Sequence, residues 1–340
     1  MELMAPLRAI VAALLLLYAC RFDPIGLQLA DGWHASSVAV WRRVHPDMIA
    51  VAPDHNYLYI TCETRAGLNA PSLYLHNLQS GRSVLLVSGL NRADGLKLAP
   101  DGSLWIGEEF DHGLIWRVAE PGKLPAEQFV QRDKAAASHP AIAPLRRAGR
   151  FAHEGIAFAR DGGYAYLADE NPHGALYRYR MRPPHLLQLL DGRLHWRTVP
   201  DPLDARAFAR RVGATQFNRM EDIEVLDDGR LLIAETDAPR IIAVTDLGAR
   251  ATVTTYLADR RIHHPDNLAW DAGRHWLWIT DDDRPSRLWR WDGLHLRQIA
   301  RHDHAEITGV TPLGDDILIN LQGRDDGPEL TVRLREERAQ

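Results

Sequence analysis

The sequence predicts an all-β fold, a six-bladed β-propeller closed by an N-terminal strand. Three observations support this prediction: a motif that recurs six times, Asp-Gly turns that join the strands of the clearest copies, and tryptophans that fall in strand-like runs. The chain has ten tryptophans, and Trp276 with Trp278 and Trp289 with Trp291 alternate as on one face of a strand. Aromatic residues in such runs favour sheets packed face to face over a helical bundle.

Each copy of the repeat contains an apolar strand, a turn, a second apolar strand, a polar loop and a third strand. In the clearest copies, residues 94–109 and 221–235, Asp101-Gly102 and Asp228-Gly229 form the hairpin turns. The six copies begin at Met48, Asp94, Glu154, Glu221, Asp266 and Thr308, so five steps cover 260 residues, or about 52 residues each. A four-stranded blade needs about 40–50 residues, which leaves room for six blades and some long loops.

The repeat defines one domain, which we place at residues 36–336. The strand at residues 37–41 is expected to pair with the last blade, because closing the ring removes free sheet edges. Residues 131–150 are predicted to be a surface excursion, and residues 204–212 a short helix outside the ring. Two β-sandwiches are the alternative, although sandwiches rarely repeat a motif so evenly.

The composition is that of a globular protein without a nucleic-acid-binding signature. Of the 340 residues 46% are hydrophobic and 25% charged, the net charge is −5, and no run is rich in Lys and Arg. The only cysteines, Cys20 and Cys62, exclude a disulfide framework and a CxxC metal site. We therefore expect no nucleic-acid partner, and we expect a monomer.

Residues 1–20 are predicted to be a signal or lipoprotein-type segment, or a membrane anchor. The apolar run at 9–19 follows Arg8 and is too short to span a bilayer alone, but it matches the core of a secretory signal. It ends in LYAC at 17–20, which is similar to the bacterial lipobox, whose cysteine is lipidated. Lipidation at Cys20, an uncleaved anchor and a plain signal all predict an extracytoplasmic location, in the periplasm or cell envelope, with membrane contact only through this segment.

Carboxylates recur at one position of the repeat. Propellers place the start of each innermost strand at the channel mouth, so the positions at which the copies begin should converge there: Met48, Asp94, Glu154, Glu221 with Asp222, Asp266 with Asn267, and Thr308. Four converging acids must either take up protons or hold a cation. An oxygen-rich site without cysteine suits Ca²⁺ better than zinc; solvated acidic turn residues are the alternative.

A second polar set follows the second strand of each copy. Its members are Glu63, Glu108-Glu109, Asp169-Glu170, Glu235-Thr236-Asp237, Asp281-Asp282-Asp283, and Asn320 with Gln322. Because this position lies near the same face, some members should support the metal ligands or bind further ions. Asp282 and Asp283 are the first candidates for simple solvated loop residues.

Basic residues precede the acids, and three of them are candidate catalytic groups: Arg219, His153 and Arg92. Arginine beside a metal site commonly binds phosphate or carboxylate. For His153 and His263 the alternative is a partly buried, hydrogen-bonded side chain. HExxH, GxSxG and P-loop motifs are absent from the sequence, so serine-hydrolase and nucleotide-binding functions have no support.

Six stretches in order over residues 91–325 resemble motifs of the PhoX-type alkaline phosphatases, exported metal-dependent propellers. They are WIGEE at 105–109, GRFAHEG at 149–155, YLADE with GALYRY at 166–179, FNRMED at 217–222, PDNL at 265–268 and INLQ at 319–322. The chain is shorter than those phosphatases. It also carries Arg92, within NRADG at 91–95, where the family has an iron-binding cysteine.

The resemblance implies a Ca²⁺-dependent hydrolase acting on a small anionic substrate, with phosphomonoesters as one possibility. It assigns the metal to Asp94, Glu154, Glu221, Asp266 and Glu109, with Arg219, Arg92 and His153 as catalytic groups. Arg92 in place of cysteine favours calcium over iron. Two alternatives stay open: a lactonase of the gluconolactonase kind, and a non-catalytic extracytoplasmic binding propeller with structural Ca²⁺. An enzyme would leave an open metal position beside an electropositive pocket, whereas a structural site would be closed by protein ligands.

Overall fold

The computed structural model describes residues 25–65, 67 and 69–337. The predicted signal or anchor segment, including Cys20, lies outside the described residues. None of the helices within those described ranges is both long enough and apolar enough to cross a membrane. The described chain begins with two strands, β1 (Gln28–Leu29) and β2 (Trp33–Trp41), and then builds six sheets arranged as blades around a central channel.

The first two blades are interleaved along the chain. Blade 1 contains β3 (Pro46–Val51), β4 (Tyr57–Cys62), β5 (Pro71–Asn77) and β6 (Ser83–Ser88). Blade 2 begins with β7 (Ala93–Leu98), β8 (Leu104–Glu108) and β9 (Ile115–Val118). The chain then returns to blade 1 as β10 (Gln128–Gln131) and β11 (Ala136–Ala137), and it completes blade 2 with β12 (Ile142–Pro144).

The remaining blades follow in chain order. Blade 3 contains β13 (His153–Phe158), β14 (Tyr164–Asp169), β15 (Leu176–Arg180), β16 (Leu187–Leu190) and β17 (Trp196–Thr198). Blade 4 contains β18 (Met220–Val225), β19 (Leu231–Glu235), β20 (Arg240–Asp246) and β21 (Ala251–Ala258). Blade 5 contains β22 (Pro265–Asp271), β23 (Trp276–Asp281), β24 (Ser286–Trp291) and β25 (Leu296–His302), and blade 6 contains β26 (Glu306–Leu313), β27 (Asp316–Gln322) and β28 (Glu329–Glu336).

The ring is closed as the sequence predicts. Strand β2 pairs antiparallel with β28 from Trp33 opposite Glu336 to Trp41 opposite Glu329, and it supplies the fourth strand of blade 6. Strand β1 adds to the outer edge of blade 5 by pairing with β25. The first and last described segments are therefore held in adjacent blades, which protects two sheet edges.

The stretch at residues 131–150 is more closely integrated than the predicted surface excursion. Strands β11 and β12 extend blades 1 and 2, and Ile142 is 4% exposed. The predicted helix is present as α1 (Ala205–Val212), which ends at Gly213 in the left-handed conformation (φ 63°). Short 3-10 helices occupy Pro121–Lys123, Arg132–Lys134, Arg146–Ala148 and Pro202–Asp204.

Adjacent blades pack through large apolar side chains. Trp105 of blade 2, which is 2% exposed, meets Phe158 and Tyr179 of blade 3 edge-on, with ring centroids 5.1 and 6.0 Å apart. This packing accounts for the tryptophans in strand-like runs, since their wide rings fill the space between twisted sheets.

Every innermost strand contains a β-bulge near its start. In blade 3, His153 pairs with Asp169 and Ile156 pairs with Leu167, so Glu154 and Gly155 together oppose one residue of β14. The same shift occurs at the start of each of the other five innermost strands. Bulges redirect side chains locally, and here they fall at one mouth of the central channel.

Candidate metal centre

The bulged ends of the innermost strands surround an acidic cavity of about 130 Å³. Its lining consists of nine carboxylates and two arginines: Asp47, Glu63, Asp94, Glu109, Glu154, Glu221, Asp266, Asp282, Glu306, Arg92 and Arg219. We call it the carboxylate cavity. It lies at the channel mouth, and it brings together all five predicted metal ligands, Asp94, Glu109, Glu154, Glu221 and Asp266.

In blades 1 and 6, the residue predicted to lie at the channel mouth is wrong by one or two positions in the sequence. Asp47, not Met48, lines the carboxylate cavity in blade 1, and the Met48 side chain lies deeper, along the central channel. In blade 6 the bulge places Gly309 at the equivalent position, and Glu306 supplies the carboxylate from the start of β26. Thr308 is buried and donates a hydrogen bond to the Pro46 carbonyl oxygen at 3.3 Å.

A second tier of carboxylates comes from the residue that follows the second strand of a blade. Glu63, Glu109 and Asp282 occupy this position and line the carboxylate cavity. Asp282 borders the carboxylate cavity, but it is also exposed, as expected for a solvated loop residue. Glu170, at the same position in blade 3, accepts a hydrogen bond from Arg219 Nε at 2.9 Å.

The last residue of the second strand has a structural role instead. Glu108 accepts hydrogen bonds from Trp116 Nε1 (3.2 Å) and the Asn91 N–H (3.0 Å), and it pairs with Arg132. Asp281 accepts from Trp289 Nε1 at 3.0 Å in the same manner. Asp169 and Glu235 are likewise buried and paired, with Arg206 and Arg240. None of these four lines the carboxylate cavity, so the expectation that some members of the second set support the metal applies to the residues that follow the strand.

Both predicted arginines lie at the cavity wall. Arg92 Nε donates to Glu63 Oε1 at 2.6 Å, and the Arg92 guanidinium also pairs with Glu109. Arg219 Nη2 lies 2.8 Å from Glu221 Oε1. Both residues have left-handed backbones, with φ of 50° and 51°. Such conformations cost about 1–3 kcal/mol in a non-glycine residue, so the fold places these side chains at an energetic cost.

The structure places the predicted catalytic histidine away from the cavity. His153 is fully buried, its ring lies 3.9 Å from the Phe151 ring, and Nε2 is 3.3 Å from the Gly149 carbonyl oxygen. Burial lowers the pKa of His153 to about 3, so the ring is neutral at physiological pH. His263 and His264 are exposed and pair with Asp283 at 2.9 and 2.8 Å. A catalytic assignment for His153 does not fit this geometry.

Burial and mutual repulsion raise the pKa of the cavity acids. Burial, followed by the charge of Glu63, raises the pKa of Asp47 to about 7. Burial raises the pKa of Glu221 to about 8, although Arg219 opposes the shift. The pKa values of Asp94, Glu154 and Asp266 are also raised, first by burial and then by neighbouring carboxylates. The folded protein must therefore protonate these groups or neutralise them with cations.

The donor set fits hard cations. Carboxylate oxygens form three groups, each within 4.8 Å: Asp47 with Glu63 and Asp94, Asp94 with Glu109 and Glu154, and Glu154 with Glu221 and Asp266. Asp94 and Glu154 each belong to two groups. Asp94 Oδ1 and Glu154 Oε2 are buried without a hydrogen-bond partner among the described residues, as expected for oxygens that await a ligand. Oxygen donors alone match calcium or magnesium.

Several solved structures share this fold. A gluconolactonase from Xanthomonas campestris is 14% identical, with a TM-score of 0.59 and 93% of each chain covered. Virginiamycin B lyase from Staphylococcus aureus is 14% identical, with a TM-score of 0.53, and covers 89% of this chain and 99% of its own. A PQQ-bound aldose sugar dehydrogenase from Streptomyces coelicolor is 14% identical, with a TM-score of 0.55, and covers 91% and 100%.

These identities establish the shared fold alone. No curated protein matches the chain significantly. A family model does match: the phytase-like family, described as "Esterase-like activity of phytase", over residues 91–261, half of the chain. The matched segment contains Arg92, Asp94, Glu154 and Glu221, and it supports the resemblance that the sequence motifs indicate. The chain is therefore a six-bladed propeller that belongs to the phytase-like family.

Proposed function

We propose that the protein is a Ca²⁺-dependent hydrolase of small anionic esters, with phosphomonoesters as the favoured substrate class. The observation that carries this proposal is the set of three overlapping carboxylate groups in a cavity whose wall also holds two guanidinium groups. Membership of a family described by esterase-like activity supports the same class of reaction. The carboxylates would bind cations, while the arginines would bind the negatively charged oxygens of a phosphoryl group.

The metal would be held by Asp94, Glu154, Glu221, Asp266 and Glu109, together with Asp47. Because Asp94 and Glu154 are each shared between two groups, they are the residues suited to link neighbouring cations. Bound Ca²⁺ would polarise a substrate oxygen and lower the pKa of a bound water, which supplies the nucleophile.

The arginines act on the substrate rather than on the metal. Arg219 is fixed by Glu170 and Glu221, so its guanidinium is oriented before the substrate arrives. Arg92 is fixed in the same way by Glu63 and Glu109. Preorganised cations of this kind stabilise negative charge that develops on transferring oxygens, and they need no reorganisation during the reaction.

An open site distinguishes this proposal from a purely structural calcium site. The side chains of Arg92 and Arg219 are 39% and 31% exposed, so positive charge at the cavity is accessible from solvent. A structural site would be enclosed by protein ligands. The partly exposed guanidinium groups therefore favour a catalytic use of the cavity over the binding-platform alternative.

The test is an activity screen on metal-defined protein. We expect Ca²⁺-dependent hydrolysis of p-nitrophenyl phosphate, lost on chelation and reduced at least a hundredfold by Glu154→Gln, which removes a shared ligand charge at nearly constant volume. Glu120→Gln is the matched control, since Glu120 is exposed and pairs only with Lys123 among the described residues. Ca²⁺-dependent hydrolysis of gluconolactone without phosphatase activity would establish the lactonase instead. Bound Ca²⁺ without either activity would contradict the enzymatic proposal.

A further inference from the structure

A second cavity lies at the opposite end of the blades from the carboxylate cavity, where blade 5 meets blade 6. It measures about 620 Å³, and its lining includes Trp33, Trp276, Trp278, Arg274, Asp315 and Glu336. We call it the tryptophan cavity. Strand β23 begins there at Trp276 and reaches the channel mouth at Asp281, so about 17 Å of strand separates the two cavities, at about 3.3 Å per residue.

Three indole rings form one wall of the tryptophan cavity. The rings of Trp33 and Trp276 each meet the Trp278 ring edge-on, with centroids 5.8 and 6.2 Å apart. Trp33 and Trp278 are buried, whereas Trp276 is only partly buried, so part of its ring is accessible to a ligand. The buried Arg290 guanidinium lies 4.0 Å from the centroid of the Trp276 ring and fixes its orientation. A fixed indole presents a large apolar area at a low cost in conformational entropy.

The charged side chains of the lining all have a partner within the protein. The pairs are Arg274 with Asp315 (2.6 Å), Glu336 with Arg290 (3.3 Å) and Glu337 with His34 (2.6 Å). The tryptophan cavity therefore offers hydrogen-bond donors and acceptors beside the indole rings. It offers no charged group that lacks a partner among the described residues.

This combination favours a neutral, hydroxyl-rich ligand over an ion. An anion or a cation would have to displace an existing pair to gain a strong charge contact. Quaternary ammonium groups bind against the faces of aromatic rings, and the Trp276 ring already carries the Arg290 guanidinium. A sugar ring has an apolar C–H surface that can pack on an indole, and its hydroxyl groups can donate to carboxylates and accept from guanidinium groups. The volume lies within the range of small-molecule sites.

We propose that the tryptophan cavity binds a neutral saccharide. A pyranose ring would pack on Trp276, and its hydroxyl groups would form hydrogen bonds with Asp315, Arg274 and Glu336. This inference goes beyond the proposed hydrolase function, because the site contains none of the residues of the carboxylate cavity. Since the two cavities lie at opposite ends of the blades, a bound saccharide would leave the channel mouth open.

Isothermal titration calorimetry of the full chain tests the site with three neutral probes: cellopentaose, chitopentaose and mannopentaose. We expect at least one of them to bind with a Kd below about 1 mM and with equal affinity in Ca²⁺ and in a chelator. Tetramethylammonium is the charged comparison and should bind more weakly than that sugar. Binding of none of the three sugars, or tighter binding of tetramethylammonium, would overturn the proposal.

Substitutions test whether the sugar occupies the tryptophan cavity. Trp276→Ala should weaken binding about tenfold, because it removes the accessible aromatic surface. Trp291→Ala is the matched control and should leave binding unchanged: Trp291 is also a partly buried tryptophan of blade 5, but it packs on the other face of the blade, against blade 4. Asp315→Ala alters an exposed turn and should weaken binding about fivefold, which provides a test even if Trp276→Ala does not fold.

Activity measurements separate this inference from the proposed function. Trp276→Ala should leave the Ca²⁺-dependent hydrolysis of p-nitrophenyl phosphate unchanged, and the sugar should still bind if the protein proves to have no hydrolase activity. Sugar binding that is lost on chelation would assign the sugar to the carboxylate cavity and contradict the inference. Equal affinity in the wild-type, Trp276→Ala and Asp315→Ala proteins would contradict it as well.

Discussion

Asp94 and Glu154 are the two carboxylates of the carboxylate cavity whose buried negative charge most needs to be neutralised. They are 4% and 6% exposed, each belongs to two carboxylate groups, and each has a buried oxygen without a hydrogen-bond partner in the described structure. Isolated buried charges cost several kcal/mol unless they are neutralised or paired. At the residue scale, the site is therefore built to hold either protons or cations.

The metal-free protein should lose stability as the pH rises from 6.5 to 8. Asp47 and Glu221 have ordinary pKa values of 3.8 and 4.5, which rise to about 7 and 8 on folding. These carboxyls bind protons more tightly in the folded chain, so each lowers the free energy of unfolding by about 1.4 kcal/mol per pH unit until its folded pKa is reached. His153, whose pKa is lowered, acts in the opposite sense only below its ordinary value of 6.5.

Urea unfolding of chelated protein at several pH values in this window measures the effect. Glu221→Gln should flatten the dependence, because it removes one group that titrates there. A free energy of unfolding that rises from pH 6.5 to 8 in the chelated protein would contradict the protonated state inferred for the cavity.

The sequence identifies most of the cavity residues but not the exact register in every blade. Asp94, Glu154, Glu221 and Asp266 share a strand-starting position that the repeat makes visible. Asp47 was missed although Pro46-Asp47 has the same form as Pro265-Asp266, which is a signal that the sequence contains. Glu306 could not be identified from equivalent positions in the repeat. Blade 6 has Gly309 at the bulge position and supplies its carboxylate from outside the bulge.

At the element scale, glycines allow the bulged strands to approach one another. A Cβ atom on Gly155 would lie 2.6 Å from the Glu221 carbonyl oxygen and from the Ile223 nitrogen, both backbone atoms of β18. Contacts this short do not occur, so a larger residue would push β13 and β18 apart at the channel mouth. Glu154 and Glu221 would then separate as well.

Gly155→Ala should therefore destabilise the protein by about 1–3 kcal/mol and weaken Ca²⁺ binding at least tenfold. Gly273→Ala is the control, because its Cβ would have no neighbour closer than 3.5 Å. Urea unfolding and calcium titration measure the two effects. Wild-type calcium affinity in Gly155→Ala would show that the spacing of these two strands does not determine the site.

Regular elements were predictable, whereas irregular ones were not. Alternating apolar strands and Asp-Gly turns indicate the hairpins of each blade, and residues 204–212 have helical composition. The strands at 136–137 and 142–144 are too short, and the second ends in proline, so nothing in their pattern distinguishes them from loop. The repeat pattern of the sequence does not reveal the β-bulges, although the bulges direct the carboxylates into the cavity.

At the scale of the whole molecule, the ring of blades positions the candidate site at the channel mouth but does not determine its reaction. The same fold occurs in a gluconolactonase, a lyase and a sugar dehydrogenase at identities of 14%, so ring closure and blade number do not select a reaction. In this chain nine carboxylates and two arginines line a cavity at the channel mouth. The six-fold repeat brings distant residues of the sequence together there.

The measurement that tests the central claim most directly is thermal unfolding of fully metal-stripped protein with increasing Ca²⁺, paired with metal analysis of the purified chain. A cation that binds only the folded state adds about 2.7 kcal/mol of stability at a hundredfold excess over its Kd, which corresponds to a rise in melting temperature of about 5 °C for a domain of this size. We predict such a rise for wild-type protein and for Glu120→Gln, and a much smaller rise for Glu154→Gln. An unchanged melting temperature in the stripped wild-type protein would contradict the assignment of the carboxylate cavity as a metal centre.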